Sequence, residues 1–184
     1  MPTFNNKPNE RVILPDGREV WLSRSVAVVV VLLAVRDGIL HTAIEQRGKA
    51  LDYPGRWCVP CGYIDRNETG PEAARREVYE EIGLDINDFK QILVSHLQQP
   101  WYVNTDPKEN RQNITLRYGM CIDLGNNPLP DLHIDGIEVA DAKWAYADDL
   151  SKYNFAFSHD TLIRKYVDLA QNSVKLLPSK GGTP

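Results

Sequence analysis

Glu77, Glu80 and Glu81 stand at i, i+3 and i+4. On a helix of 3.6 residues per turn they project within about 100° of arc, on one face. Carboxylates crowded in this way repel, at a cost of a few tenths of a kcal/mol on a bare helix. A hard divalent cation reverses the sign, because it takes oxygen ligands at about 2.1–2.5 Å. Glu68, one loop earlier, offers a fourth carboxylate. Taken alone, the three glutamates also fit a solvated acidic face, with Glu72 and Arg76 forming an ordinary i,i+4 surface pair.

The elements that would hold this stripe are legible around it. Thr69 and Glu72 form a capping-box pattern, Pro71 falls in the first turn and Gly83 just past Ile82, so a helix is expected between them. The valine-rich run Val26 to Val35 reads as a buried strand, and Ile39 to Arg47 returns antiparallel through an Asp37-Gly38 turn. Ahead of them, Arg11–Leu14 and Arg18–Leu22 flank Pro15-Asp16-Gly17 as a hairpin. Further strands are expected at Gln91–Gln98, Ile114–Leu124 and Lys143–Ala147. Ser158 is expected to cap a final helix with Leu162, Ile163, Tyr166, Val167 and Ala170 on one side. The chain thus divides into an extension with a hairpin (1–23), a main domain (24–175) and a flexible tail (176–184). Its fold class is α/β, a mixed sheet between helices.

Composition bounds the function. The 184 residues are 42% apolar and 25% charged, with net charge −4, so the basic footprint of a duplex nucleic-acid binder is missing. The longest apolar run, Val26 to Val35, is half of the about 20 residues a membrane-spanning helix needs. It also lies too far in to be a signal-peptide core. Three cysteines, Cys58, Cys61 and Cys121, suit a reducing, cytoplasmic setting.

Gly62, Glu68, Arg76-Glu77-Val78, Glu80-Glu81 and Gly83-Leu84 together spell G-x5-E-x7-R-E-U-x-E-E-x-G-U, where U is apolar. This resembles the Nudix box of the Nudix hydrolases, with all nine specified positions matched over 23 residues. Gln46-Arg47-Gly48 and Trp57-x-x-Pro60-x-Gly62 are similar to the residues that precede that box. One departure is Cys61, where many members have glycine; it is read as a small packed residue, because a lone thiol among oxygens is a poor zinc site. The resemblance implies an α/β/α sandwich and a pyrophosphohydrolase that cleaves a nucleoside diphosphate linked to another moiety. It implies that Glu77, Glu80 and Glu81 ligate Mg²⁺ or Mn²⁺, with the Gly62 carbonyl touching the metal. Glu68 would serve as a ligand or by pairing with Arg76, and Arg76 would hold the glutamates in place. The general base is Glu81 or Glu138 on these grounds, with Glu109, Asp131 and Asp135 weaker alternatives.

The identity of the second moiety is thinly written. The N-terminal hairpin and Phe155-Ala156-Phe157-Ser158-His159 resemble the ADP-ribose pyrophosphatase branch, in which such a hairpin builds a homodimer. Phe155 and Phe157 also suit a hydrophobic staple at the helix start, with His159 structural. Arg47, Arg56 and Arg111 are candidate phosphate or ribose contacts, and Trp101 a surface for stacking a base. The leading expectation is a nucleoside diphosphate sugar, ADP-ribose first. Oxidised nucleoside triphosphates are the second, and NADH or a dinucleotide the third, from a faint Gln99-Pro100-Trp101 match. RNA 5′-end processing is disfavoured by the acidic balance. A ligand sensor carrying a winged helix is also disfavoured, since about 12 residues follow the last core-helix position and the box is complete.

Overall fold

The computed structural model describes residues 9–49, 51–107, 112–134 and 136–173, so the expected tail lies outside it. Strands β1 (Glu10–Ile13) and β2 (Glu19–Leu22) pair antiparallel as a separate hairpin. Then β3 (Val26–Arg36) and β4 (Ile39–Arg47) are joined by Asp37 and Gly38, both left-handed at φ 50° and 75°. Two successive positive φ values match the right-handed twist of the flanking strands.

These strands pair only from Leu33↔Thr42 to Arg36↔Ile39, and then diverge. Two short strands fill the opening: β5 (Trp57–Cys58) pairs with β4, and β6 (Cys61–Tyr63) with β3. The Val30 N–H donates to the Pro60 carbonyl at 2.9 Å, closing the wedge. Helix α1 (Gly70–Ile82) follows, then β7 (Ile92–His96), β8 (Tyr102–Asn104), β9 (Ile114–Gly125), β10 (Val139–Tyr146) and α2 (His159–Ser173). The spine of the sheet runs β10-β4-β3-β9-β7, with β3 and β9 parallel and the other pairs antiparallel.

Val28, Val30 and Leu32 pack under Ala73, Ala74, Val78 and Ile82 of α1. Val29, Val31 and Leu33 face Ile163, Tyr166, Val167 and Ala170 of α2. Burial on both faces explains why β3 is an unbroken apolar run rather than an alternating one. The architecture is the expected α/β/α sandwich with a mixed sheet and an N-terminal hairpin. No described helix is long and apolar enough to cross a membrane.

Three local expectations change. The last strand begins at Val139 rather than Lys143, with a register shift between Val139 and Asp141. This bulge, from the one-residue slip, masks the alternation of the strand. Ser158 precedes α2 at φ 57°, a left-handed conformation rather than the extended one of an N-cap. The segment 57–63, whose Pro60 and Gly62 suit a loop, contains β5 and β6, which pair with β4 and β3.

Candidate active site

Helix α1 is anchored at both ends. The Thr69 hydroxyl accepts from the Glu72 N–H at 3.4 Å, and the Glu72 carboxylate accepts from the Thr69 N–H at 2.8 Å. Gly83, at φ 71°, closes the C-terminus through its N–H to the Tyr79 carbonyl. Glu72 is therefore occupied by the cap and does not form the i,i+4 surface pair with Arg76 that its spacing suggests.

Arg76 is instead a hub. Its Nε and Nη2 donate to the two Glu68 oxygens at 2.8 and 2.9 Å, a bidentate clamp. Its Nη1 donates to Glu77 at 2.8 Å and to Glu80 at 2.9 Å, and Nη2 also donates to the Tyr63 carbonyl at 3.0 Å. The Arg76 bond holds the Glu68 carboxyl below its ordinary range. Of the two roles expected for Glu68, the geometry shows the pairing with Arg76.

Two of the three stripe glutamates are buried. Glu77 and Glu81 are 8% and 6% exposed, whereas the Glu80 side chain is 57% exposed. Burial pushes both Glu77 and Glu81 up; for Glu81 the nearby Glu45 charge adds to it. The Glu81 Oε2 accepts the Cys61 N–H at 2.8 Å. Gly62 lies directly beneath Glu77, and a Cβ there would overlap the Glu77 carboxylate. A side chain at 62 would displace the Glu77 carboxylate from this place.

Glu138, just before β10, joins Glu80, Glu81 and Val139 around a groove of about 330 Å³. Its backbone carbonyl accepts the Gly48 N–H at 2.7 Å. A Cβ at Gly48 would lie 2.6 Å from the Ile137 oxygen and 2.7 Å from the Glu138 oxygen. This close approach pins Glu138 over the helix face.

One residue was missed in the sequence. Glu45, on β4, is 1% exposed, and its Oε2 has no hydrogen-bond partner. Burial pushes its carboxyl up to about 7. Its alternation with Ala43 and Arg47 was the available signal, since Ala43 packs on the α1 face.

Of the arginines, Arg47 is buried, donates from Nε to the Asp52 carbonyl at 2.6 Å and lies 4.9 Å over the Phe157 ring. Arg56 lines a second cavity of about 580 Å³ with Tyr53, Tyr153, Phe155, Phe157 and Arg164. Trp101 lines neither cavity: its indole N–H donates to the Tyr118 carbonyl at 3.2 Å, and its ring lies 5.4 Å from Tyr166. Trp101 is thus held half-buried beside Tyr166 of α2. His159 is 5% exposed and accepts the Val59 N–H at 3.3 Å; burial holds its imidazole down to about 3, so it is a neutral structural group. Arg111, Glu109 and Asp135 lie outside the described residues, and Asp131 lines neither cavity.

The Arg76→Ala variant is expected to lose about 10–100-fold in metal affinity or turnover, the range for removing an outer support of a metal site. Metal titration calorimetry beside steady-state rates checks this. Unchanged values for both would remove Arg76 from the supporting role.

Comparison with known proteins agrees with this arrangement. The NUDIX domain pattern matches residues 23–166. Nudix hydrolase 19, chloroplastic, of Arabidopsis thaliana is 29% identical over 123 residues, 67% of this chain and 25% of that protein. The chain thus spans about a quarter of the length of that relative. Among solved structures, the NUDIX domain of Shewanella oneidensis NrtR, complexed with ADP ribose, superposes with TM-score 0.62 at 21% identity, over 80% of this chain and 88% of that one. The bifunctional NMN adenylyltransferase/ADP ribose pyrophosphatase from Francisella tularensis, complexed with AMP and manganese, gives 0.61 at 20% identity, over 80% of this chain and 42% of that one. A complete box on a capped helix, set in this sandwich and matched over most of its length, means that the chain belongs to the NUDIX domain family.

Proposed function

We propose that the chain is a metal-dependent pyrophosphohydrolase of nucleoside diphosphate sugars, with ADP-ribose the first compound to test, yielding a nucleoside monophosphate and a sugar phosphate. The observation behind this reading is the acidic groove: buried Glu81, exposed Glu80 and the facing Glu138 around about 330 Å³, with buried Glu77 on the same helix face. The donor set fits Mg²⁺ or Mn²⁺, since it is all oxygen and includes buried carboxylates whose charge lacks a full complement of partners. Glu77, Glu80 and Glu81 would hold the ion, with the Gly62 carbonyl beneath. When bound, such an ion neutralises phosphate oxygens and lowers the pKa of a coordinated water.

The protein residues have separable tasks. Arg76 and Glu68 fix the glutamate rotamers. Glu138, outside the helix and facing the groove, accepts the proton of the attacking water; Glu81 is tied to the Cys61 N–H and is better suited to the ion. Arg56, with Tyr53 and Phe157, gives the second cavity a cation and ring faces for the nucleoside or terminal ribose, and Arg47 stacks on the Phe157 ring. The ligands of the two structural neighbours, ADP ribose in one and AMP with manganese in the other, support this substrate class. Exposed Ile13, Trp21 and Leu22 support a homodimer through the hairpin, and three free thiols support a cytoplasmic setting.

The reading is tested by assaying ADP-ribose, other nucleotide sugars, NADH, dinucleoside polyphosphates and deoxynucleoside triphosphates with Mg²⁺ or Mn²⁺. Preferential release of pyrophosphate from triphosphates would overturn the substrate assignment. In the preferred reaction, Glu138→Gln is expected to lower kcat roughly 10²-fold with KM little changed, the lower range for loss of a general base. A raised KM at unchanged kcat would make Glu138 a substrate contact instead.

A further inference from the structure

Between β5 and β6 lies Cys58-Val59-Pro60-Cys61, the C-x2-C spacing of thiolate metal sites. In the sequence Cys61 looks like a lone thiol; the fold gives it partners. His159, at the start of α2, reaches the wedge, so that a ring nitrogen and the Sγ atoms of Cys58 and Cys61 lie within 4.8 Å of one another. Cys58 pairs across from Glu45 in the sheet, and its Sγ is 3.3 Å from Glu45 Oε1. The other Glu45 oxygen is the buried, unpartnered one. Tetrahedral zinc, with bonds of about 2.3 Å to sulfur and about 2.1 Å to oxygen, separates two sulfurs by about 3.8 Å and a sulfur from an oxygen by about 3.6 Å. The trio of Cys58, Cys61 and His159, within 4.8 Å, closes by up to about 1 Å to reach those values, while Glu45 lies outside the trio and turns toward it from beside Cys58, its Oε1 already near the sulfur–oxygen separation at 3.3 Å.

We propose that Cys58, Cys61 and His159, with Glu45 as fourth ligand, form a zinc-class site adjoining the glutamate groove and separate from its Mg²⁺ or Mn²⁺ position. Binding releases two thiol protons to solvent, and His159 exchanges its 3.3 Å bond from the Val59 N–H for the metal. Two thiolates and one carboxylate leave the occupied site with one net negative charge, which the Arg47 guanidinium, 4.0 Å from Cys58 Sγ, opposes. Thiolate and imidazole select zinc over magnesium, whereas the all-oxygen groove does the reverse. The site would tie the β5–β6 corner to the start of α2. That corner supplies the Cys61 N–H to Glu81, so zinc would brace one hydrolytic glutamate without touching the substrate.

The test is titration of the reduced, metal-free protein with Co²⁺ in excess Mg²⁺. The expected result is a thiolate-to-cobalt charge-transfer band with intense tetrahedral visible bands, saturating at one equivalent and reversed by Zn²⁺. Cys61→Ser, at a half-buried position, is expected to fold by circular dichroism, bind Co²⁺ at least about tenfold more weakly and lose about half or more of the charge-transfer intensity; Cys121→Ser and Glu80→Gln are expected to keep both. Weak bands of an oxygen-ligated ion that Mg²⁺ displaces, or full intensity and unchanged affinity in Cys61→Ser, would overturn the site. Neither result depends on which substrate is hydrolysed, or on whether one is.

Discussion

Replacing Glu81 by Gln is expected to lower turnover roughly 10²–10⁴-fold, the equivalent of several kcal/mol of transition-state charge stabilisation. The substitution keeps the volume, and the amide oxygen can still accept the Cys61 N–H that Glu81 accepts at 2.8 Å. What it removes is a negative charge at a position only 6% exposed. A buried charge aimed at a cation is worth far more than a solvated one, because little water screens it. The same change should raise the thermal midpoint of the metal-free protein, since burial already disfavours the Glu81 carboxylate. Loss of activity with a gain in metal-free stability marks a functional charge rather than a structural one. Steady-state rates in saturating Mg²⁺ and Mn²⁺ check the first part, and thermal unfolding in chelator the second. Near wild-type rates would remove Glu81 from the metal set.

The residues of this site differ in how far they could be read without coordinates, and the difference follows sequence separation. Glu77, Glu80 and Glu81 share one helix with its own cap, stop and periodicity, so local rules place them together. Glu68 and Gly62 are within one loop of that helix. Glu138 could be named but not placed, because its position over the helix depends on β10 pairing with β4 and on Gly48 admitting its backbone. Glu45 was signalled only by its alternation with Ala43 and Arg47. Its burial arises because β3 and β4 separate after Leu33↔Thr42 and let β5 and β6 in, an event decided by strand pairing and not by local propensity. The meeting of Cys58, Cys61 and His159 has the same origin: a wedge in the sheet brought against the start of the last helix. Trp101 shows a further dependence on the fold: its ring lies 5.4 Å from Tyr166 of α2, a neighbour 65 residues away in sequence.

In chelator and reductant, Glu45→Gln is expected to gain stability relative to wild type as pH rises from 4.5 towards about 7, by about 3 kcal/mol in all. In wild type, burial pushes Glu45 from 4.5 up to about 7, so over this interval the native state holds more protons than the unfolded chain. Stability contributed by such a group is present at low pH and lost as pH rises. Glutamine does not titrate, so the difference between variant and wild type carries the loss, together with the release of Glu81 from the Glu45 charge, which has the same sign. The comparison matters because His159 works the other way. Its imidazole, held down to about 3 by burial, adds stability as pH climbs from about 3 to 6.5 in both proteins, and cancels from the difference. Urea unfolding at half-unit pH steps measures the curve, and a flat or falling difference would contradict the burial of a Glu45 carboxyl whose Oε2 is left without a partner. Zn²⁺ should then narrow the gap at pH 8, because an ion that binds only the native state stabilises it by mass action and gives the Glu45 charge its missing partner. The same addition to a Glu45→Gln, Cys61→Ser double variant should do much less, which ties the pH cost of the buried carboxyl to the thiol cluster beside it rather than to the hydrolytic groove.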